Sequence, residues 1–378
     1  MRKLVFILPI LLLTSCGDES ITTQPDDSVE ISVTVNPERV ILDPGESHNF
    51  SVFVYGTSNI NVTWLVQDIP GGNTEFGTIN QDGDYHSPVS EPNADSIKIS
   101  AVSEADSSVR GNAWVIIIDP SKIYVSESGS DSTGIGSRNN PYRTITHALG
   151  LAVSMQTVIV ESGVYNASSN ELFPLYVPAG VILMGKGADS TFVVGPGGGH
   201  NESGSVFSLD GDAITIEALN ISTADNNGVG IWLLPGIFVK IRDNHIGPNY
   251  IGIAARGNNL PRPMIESNVI SGDSIGISAG EMSEPMIRNN QIIDCGNIGV
   301  QILDSARPDL GTVDSTDAGG NTIRDCGLGN QWLIRNESPD TIWAVGNTWA
   351  LPNPLDNDQF IYDDDEDINS GPVLLINQ

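Results

Sequence analysis

The chain has 378 residues, 39% hydrophobic and 6% aromatic, with 17 basic against 47 acidic residues and a formal charge of −30. That length suits two units with separate cores, and the polar balance excludes an integral membrane bundle. So acidic a surface repels phosphate backbones, which argues against nucleic acid as a partner, while 40 Gly and 22 Pro without long helix-forming runs point to an all-β class.

At the N-terminus, Arg2 and Lys3 precede an apolar stretch, Leu4 to Leu13, too short to span a bilayer, and Leu13-Thr14-Ser15-Cys16 follows at once. This tetrapeptide resembles a bacterial lipobox. The resemblance implies a leader over residues 1–15 that is cut before Cys16, diacylglycerol on the Cys16 thiol, and the membrane as partner through that anchor. Several acyl chains hold a soluble domain on a bilayer where one does not. An ordinary secretory leader with an incidental Cys is the alternative. Gly17-Asp18-Glu19 resembles the surface-export signal of some Bacteroidetes lipoproteins, and residues 16–28 read as a polar tether. The expected location is the bacterial envelope, at the outer membrane.

Residues 29–118 alternate in the manner of sandwich strands: Ile31, Val33 and Val35, then Phe50 to Tyr55, Val62 to Val66, Ile97 to Val102 and Ala113 to Ile118. Asn36-Pro37, Asp43-Pro44-Gly45 and Gly71-Gly72 supply turns between them. Val62-Thr63-Trp64, Gly77-Thr78-Ile79 and Asp82-Gly83-Asp84-Tyr85-His86-Ser87-Pro88 resemble the bacterial Ig-like modules of surface proteins. That resemblance implies an Ig-like sandwich without a disulfide, with Trp64 in its core.

The pattern changes after Asp119-Pro120-Ser121, and residues 122–378 read as a second unit. Thr144 to about Ala152 is the one convincing helix. Ile123-Tyr124-Val125-Ser126, Asn140-Pro141-Tyr142-Arg143-Thr144-Ile145, Gly163-Val164-Tyr165 and Val181-Ile182-Leu183-Met184-Gly185-Lys186-Gly187 flank it. This order resembles the domain of unknown function that begins many bacterial pectin-lyase-like β-helix proteins, which implies that the helix plugs one end of a solenoid. Further on, the triplets Val229-Gly230-Ile231, Ile251-Gly252-Ile253, Ile275-Gly276-Ile277 and Ile298-Gly299-Val300 recur 22, 24 and 23 residues apart. A period in the low twenties with β-branched triplets describes stacked coils of a right-handed parallel β-helix. Asn244, Asn268, Asn290, Asn321 and Asn347 recur with the coils and are expected to form an internal amide ladder. Cys295 and Cys326 fall at equivalent points of successive coils, as stacked thiols or as a disulfide. Gly346-Asn347-Thr348-Trp349 and the segment to Gly371-Pro372-Val373 resemble the closing coils of such solenoids, with Trp349 as a lid.

Candidate functional residues are few. Lyases of this fold pair Ca²⁺-binding carboxylates with a basic residue, and hydrolases use two or three aspartates, but no such set stands out and His48, His86, His147, His200 and His245 are scattered. Asp363, Asp364, Asp365 and Asp367 are candidate Ca²⁺ ligands or a solvated acidic turn; no other cofactor is expected. Residues after the triplets are expected to stack into one face carrying Trp232, Tyr250, Arg256, Arg262 and Arg307. That face is either an ion-pair ladder or the wall of a groove for a polysaccharide. The leading expectation is a membrane-anchored exported lipoprotein with a binding or structural role. The alternative is a polysaccharide lyase, glycoside hydrolase or epimerase.

Overall fold

The computed structural model describes residues 30–258, 262–312, 317–326, 332–351 and 353–375. Cys16, the leader and the tether lie outside the described residues. Up to Ile117 the strands are mostly antiparallel. Five form one sheet in the order Arg39–Leu42, Arg110–Ile117, Ile97–Ser103, Val62–Val66 and Ile69–Pro70, the first of them parallel to its neighbour. A pair, Ser32–Asn36 with Ser51–Tyr55, and a four-stranded sheet of short strands complete the layers. Their inward positions, among them Val35, Phe50, Trp64, Tyr85, Ile99 and Val115, make one buried apolar cluster. Trp64 is thus core. Several strands here are only two to four residues long, too short to show an alternation of their own, and the sequence pattern passed over them.

From Lys122 onward the chain winds as a right-handed parallel β-helix, with three parallel sheets running its length. The first begins with Lys122–Val125 and ends with Met286–Arg288. The second runs from Gly163–Asn166 to Thr348–Trp349, and the third from Leu175–Tyr176 to Ile361–Tyr362. Coil after coil adds a strand in register to the third sheet, so that Ile231, Ile253, Ile277, Val300 and Ile334 stack as one fully buried column. The repeat in the sequence is this column seen along the chain. A second cluster of some fifty buried residues fills the lumen and is distinct from that of the N-terminal sheets.

The helix Ile145–Leu151 closes the first coil, burying Ile145, Ala148 and Leu149 against that core. Thr144 caps it by accepting from the His147 amide at 3.0 Å. The Glu171 carboxylate, nearly buried, accepts from the Ile145 and Thr146 amides at 2.7 and 2.8 Å. The orphan donors of the first turn are thereby satisfied. At the other end Trp349 is buried and pairs in register with Ile323 in the last strand of the second sheet.

The amide ladder forms along the turn between the first and second sheets. Asn244, Asn268, Asn290 and Asn321 each donate Nδ2 to the Oδ1 of the next asparagine at 2.9–3.1 Å, ending on Asn347. Each Oδ1 also accepts the backbone N–H of the preceding asparagine. Residues just before them, Asp243, Ser267 and Asn289, adopt φ near +55°, and this sharp turn aims the amide inward.

A second, mixed column occupies the turn between the second and third sheets. Asn249 donates to Asp273 at 3.1 Å, and Cys295 and Cys326 continue the stack as buried free thiols. The glycine of each triplet makes room for it. A Cβ on Gly252 would lie 2.8 Å from Asp273 Oδ2, and one on Gly276 3.2 Å from Cys295 Sγ. Asp273 is fully buried, its Oδ2 has no hydrogen-bond partner among the described residues, and burial pushes its carboxyl well above the ordinary 3.8. The folded state therefore keeps a proton that the unfolded chain releases, and stability falls as pH rises from that ordinary value. Asp273→Asn supplies N–H donors without the titration. Thermal melts at pH 8 should show it more stable than the parent by about 1–3 kcal/mol, with a flatter pH profile. Equal or lower stability at pH 8 would mean that the carboxyl is not held protonated.

Candidate functional site

Five-residue strands give the third sheet two columns on the side away from the lumen, buried at Val229, Ile251, Ile275, Ile298, Ala254 and Ser278 and partly exposed at Trp232, Gln301, Arg335 and Tyr362. Val229, Ile251, Ile275 and Ile298 make one, an apolar stripe against which Trp232 and Tyr250 pack. Trp232, Ala254, Ser278, Gln301, Arg335 and Tyr362 make the other, in register across six coils. Between them lies a cleft of about 280 Å³ lined by Tyr250, Ile275, Asn297, Ile298, Gln301, Trp332 and Arg335.

The polar groups of this face form a chain. Arg256 lies over the Trp232 ring, 5.1 Å from its centroid, and donates to the Ser278 carbonyl at 2.7 Å and Ser278 Oγ at 3.1 Å. Ser278 Oγ in turn donates to Gln301 Oε1 at 3.2 Å. Burial lowers the Arg256 guanidinium from its ordinary value, opposed by Glu281 and Asp304. At the far end Arg335 lies 5.0 Å from the Tyr362 centroid and pairs with Glu337 at 2.8 Å, while Trp332 meets Tyr362 edge-on at 5.4 Å. Both arginines are held in place by aromatic rings and polar partners. One face of Tyr250 is covered by the His200 imidazole, stacked at 3.4 Å, which Asn227 holds at 2.7 Å.

The five residues expected on one face are divided between two. Trp232 belongs to the strand itself rather than to the loop after it, and Tyr250 and Arg256 flank the same sheet. Arg262 and Arg307 sit around the corner in a polar cleft of about 590 Å³ with Glu284, Asp309, Asp340 and Trp343. There the ion pairs run Arg307–Glu284–Arg262–Asp309–Arg288–Asp317, with distances between 2.8 and 3.9 Å. The corner cleft is therefore lined by ion pairs, whereas the sheet cleft sets Tyr250 and Trp332 beside the uncharged Asn297 and Gln301. Trp332, Arg335, Tyr362 and Gln301 were passed over in the sequence. Leu333 replaces the triplet glycine in that coil, and an insertion shifts it out of period.

In the terminal acidic run, Asp363 Oδ2 accepts the Val373 amide at 2.8 Å and Oδ1 the Asp365 amide at 3.3 Å, while Asp367 accepts from Asn369. These carboxylates shape a turn. Among the described residues no three His, Cys, Asp or Glu side chains come together to hold a metal ion, Asp364 included.

The family model described as a protein of unknown function, DUF1565, matches residues 127–355, more than half of the chain. The chain belongs to the DUF1565 family. No curated protein matches it. Among solved structures, YbhC of Escherichia coli is 12% identical with a TM-score of 0.40, covering 60% of this chain and 71% of its own. Pectin methylesterase PemA from Erwinia chrysanthemi is 11% identical, with a TM-score of 0.35 and coverage of 64% and 80%. The A-module of the Azotobacter vinelandii mannuronan C-5 epimerase AlgE4 is 16% identical, with a TM-score of 0.34 and coverage of 54% and 72%. The DUF1565 region spans the plug helix, the amide ladder and the outward sheet face up to Arg335.

Proposed function

We propose that this DUF1565 chain is an envelope-anchored binding protein whose third parallel sheet holds an extended, neutral glycan. The observation that carries this reading is the sheet cleft, where Trp332 and Tyr250 flank the Gln301 amide and Asn297. Sugars present an apolar ring face and hydroxyl edges, and aromatic rings alternating with amides match both. Coils repeat at roughly 4.8 Å, so the cleft, lined from Tyr250 to Trp332 over four coils, is about 14 Å long and takes about three sugar units.

The charge favours a neutral ligand. Arg335 is paired with Glu337, Arg256 is engaged by Ser278 and Trp232, and the whole chain is strongly acidic. A polyanion would meet repulsion without an unpaired cationic cradle. Sedimentation with insoluble neutral and uronate-rich polysaccharides is the test. Retention on a neutral glycan should change less than about twofold between low salt and 0.5 M salt, since screening acts on charge pairs. Retention only on the uronate polymers, abolished by salt, would contradict the reading.

Anchoring rests on the Leu13-Thr14-Ser15-Cys16 motif. The full chain expressed in a bacterium should partition with membranes, and Cys16→Ala should shift it to the soluble fraction or leave an uncleaved precursor. A Cys16→Ala protein processed and membrane-bound like its parent would remove the lipid anchor from this reading.

A further inference from the structure

The N-terminal sheets and the first coil of the β-helix meet at a cleft of about 430 Å³, within the range of small-molecule sites and sharing no residue with the sheet cleft. The junction is fastened. The Arg138 amide donates to Glu91 Oε1 at 3.0 Å, and Asn139 Nδ2 donates to the Ala94 carbonyl at 2.8 Å, which pins loop 135–140 to loop 91–95. Two partly exposed apolar surfaces face the cleft from its two sides. Trp114 and Ile116 project outward from strand Arg110–Ile117, and Ile135 comes from the first coil. Trp114 remains 43% exposed and Ile135 46%, in a unit whose other tryptophan is buried.

The rim carries opposite charges. Arg39 lies beside Trp114 in strand register, and Asp95 is on the facing loop. Neither joins an ion pair among the described residues, although neighbouring Lys98 and Arg110 both pair with Asp68, and Lys122 pairs with Asp119. An indole flanked by an unpaired guanidinium and an unpaired carboxylate suits a ligand with one apolar face and hydrogen-bonding edges. A net anion would meet Asp95, and a net cation would meet Arg39. We propose that this junction is a second binding site, taking a single neutral pyranose unit stacked on Trp114 with hydroxyls on Arg39 and Asp95. It is independent of the sheet-face reading.

The test uses the full chain, with tryptophan fluorescence and saturation-transfer NMR against glucose, galactose, mannose, xylose and N-acetylglucosamine, and glucuronate as the charged control. At least one neutral sugar should bind saturably in the millimolar range. Affinity should fall about tenfold or more in Trp114→Ala, in line with the loss of one aromatic stack. Asp95→Asn, an exposed change that leaves packing intact, should also weaken it. Binding that survives Trp114→Ala but vanishes in Trp332→Ala would assign all sugar binding to the sheet face and overturn the junction site. No binding by any neutral sugar, or tighter binding of glucuronate, would overturn it as well, while leaving polysaccharide retention on the sheet face to be judged separately.

Discussion

Gly252→Ala is expected to destabilise the β-helix by about 3 kcal/mol or more, at the upper end of what overpacking costs. The added Cβ would lie 2.5 Å from the Gly276 carbonyl oxygen and 2.8 Å from Asp273 Oδ2. Neither neighbour can retreat. The carbonyl belongs to a strand of the third sheet, and the Asp273 carboxyl is itself fully buried. Relief requires the coils to separate, and separation breaks the stacked Ile231, Ile253 and Ile277 column that supplies the core. For a unit of this size the melting temperature should fall by roughly 6–12 °C. Gly236→Ala is the control, because nothing lies within 4 Å of its Cβ; with φ of +76° it should lose only about 1 kcal/mol. Equal melting temperatures for the two variants would show that the triplet glycine is not a packing requirement.

Asn268→Ala should cost about 4 kcal/mol, since its side chain takes part in five hydrogen bonds. Its Oδ1 accepts from Asn244 N and Nδ2, both at 3.1 Å, and its Nδ2 donates to the Ile241 and Glu266 carbonyls and to Asn290 Oδ1 at 2.8–3.0 Å. Deleting it strands two donors on Asn244 and the Ile241 carbonyl away from water. Buried polar groups left unmade cost about 1–3 kcal/mol each, less than additively. Denaturant melts give the total, and hydrogen exchange locates it: protection of the Asn244 amide should drop more than that of Val62, in the other core. A loss below about 1 kcal/mol would reduce the ladder to a bystander of coil stacking.

Much of this fold was legible because a solenoid repeats its physics. The Ile-Gly-Ile triplets, the recurring asparagines and the capped helix each reflect a demand met once per coil or once at its end. What the sequence hid was lateral placement. Residue order after a triplet says nothing of where a five-residue strand ends, so the sequence groups Arg262 and Arg307 with Trp232, although the strand holds Trp232 and the two arginines lie around the corner. The cleft residues Trp332 and Arg335 were obscured by the insertion before their coil and by Leu333 in the glycine position. His200 reaches Tyr250 from fifty residues away, a contact that no local pattern encodes.

Trp332 is the sharpest test of the glycan face, because it lines the cleft, is partly exposed and belongs to neither the core clusters nor the amide ladder. Calorimetric titration of the parent and of Trp332→Ala with a soluble neutral oligosaccharide, chosen from the polymer that retains the parent, measures its contribution directly. Loss of a sugar-stacking ring should weaken binding about tenfold, while the lost edge contact with Tyr362 lowers the melting temperature by no more than a few degrees. Identical affinities for the two proteins would contradict the placement of the glycan on the third sheet.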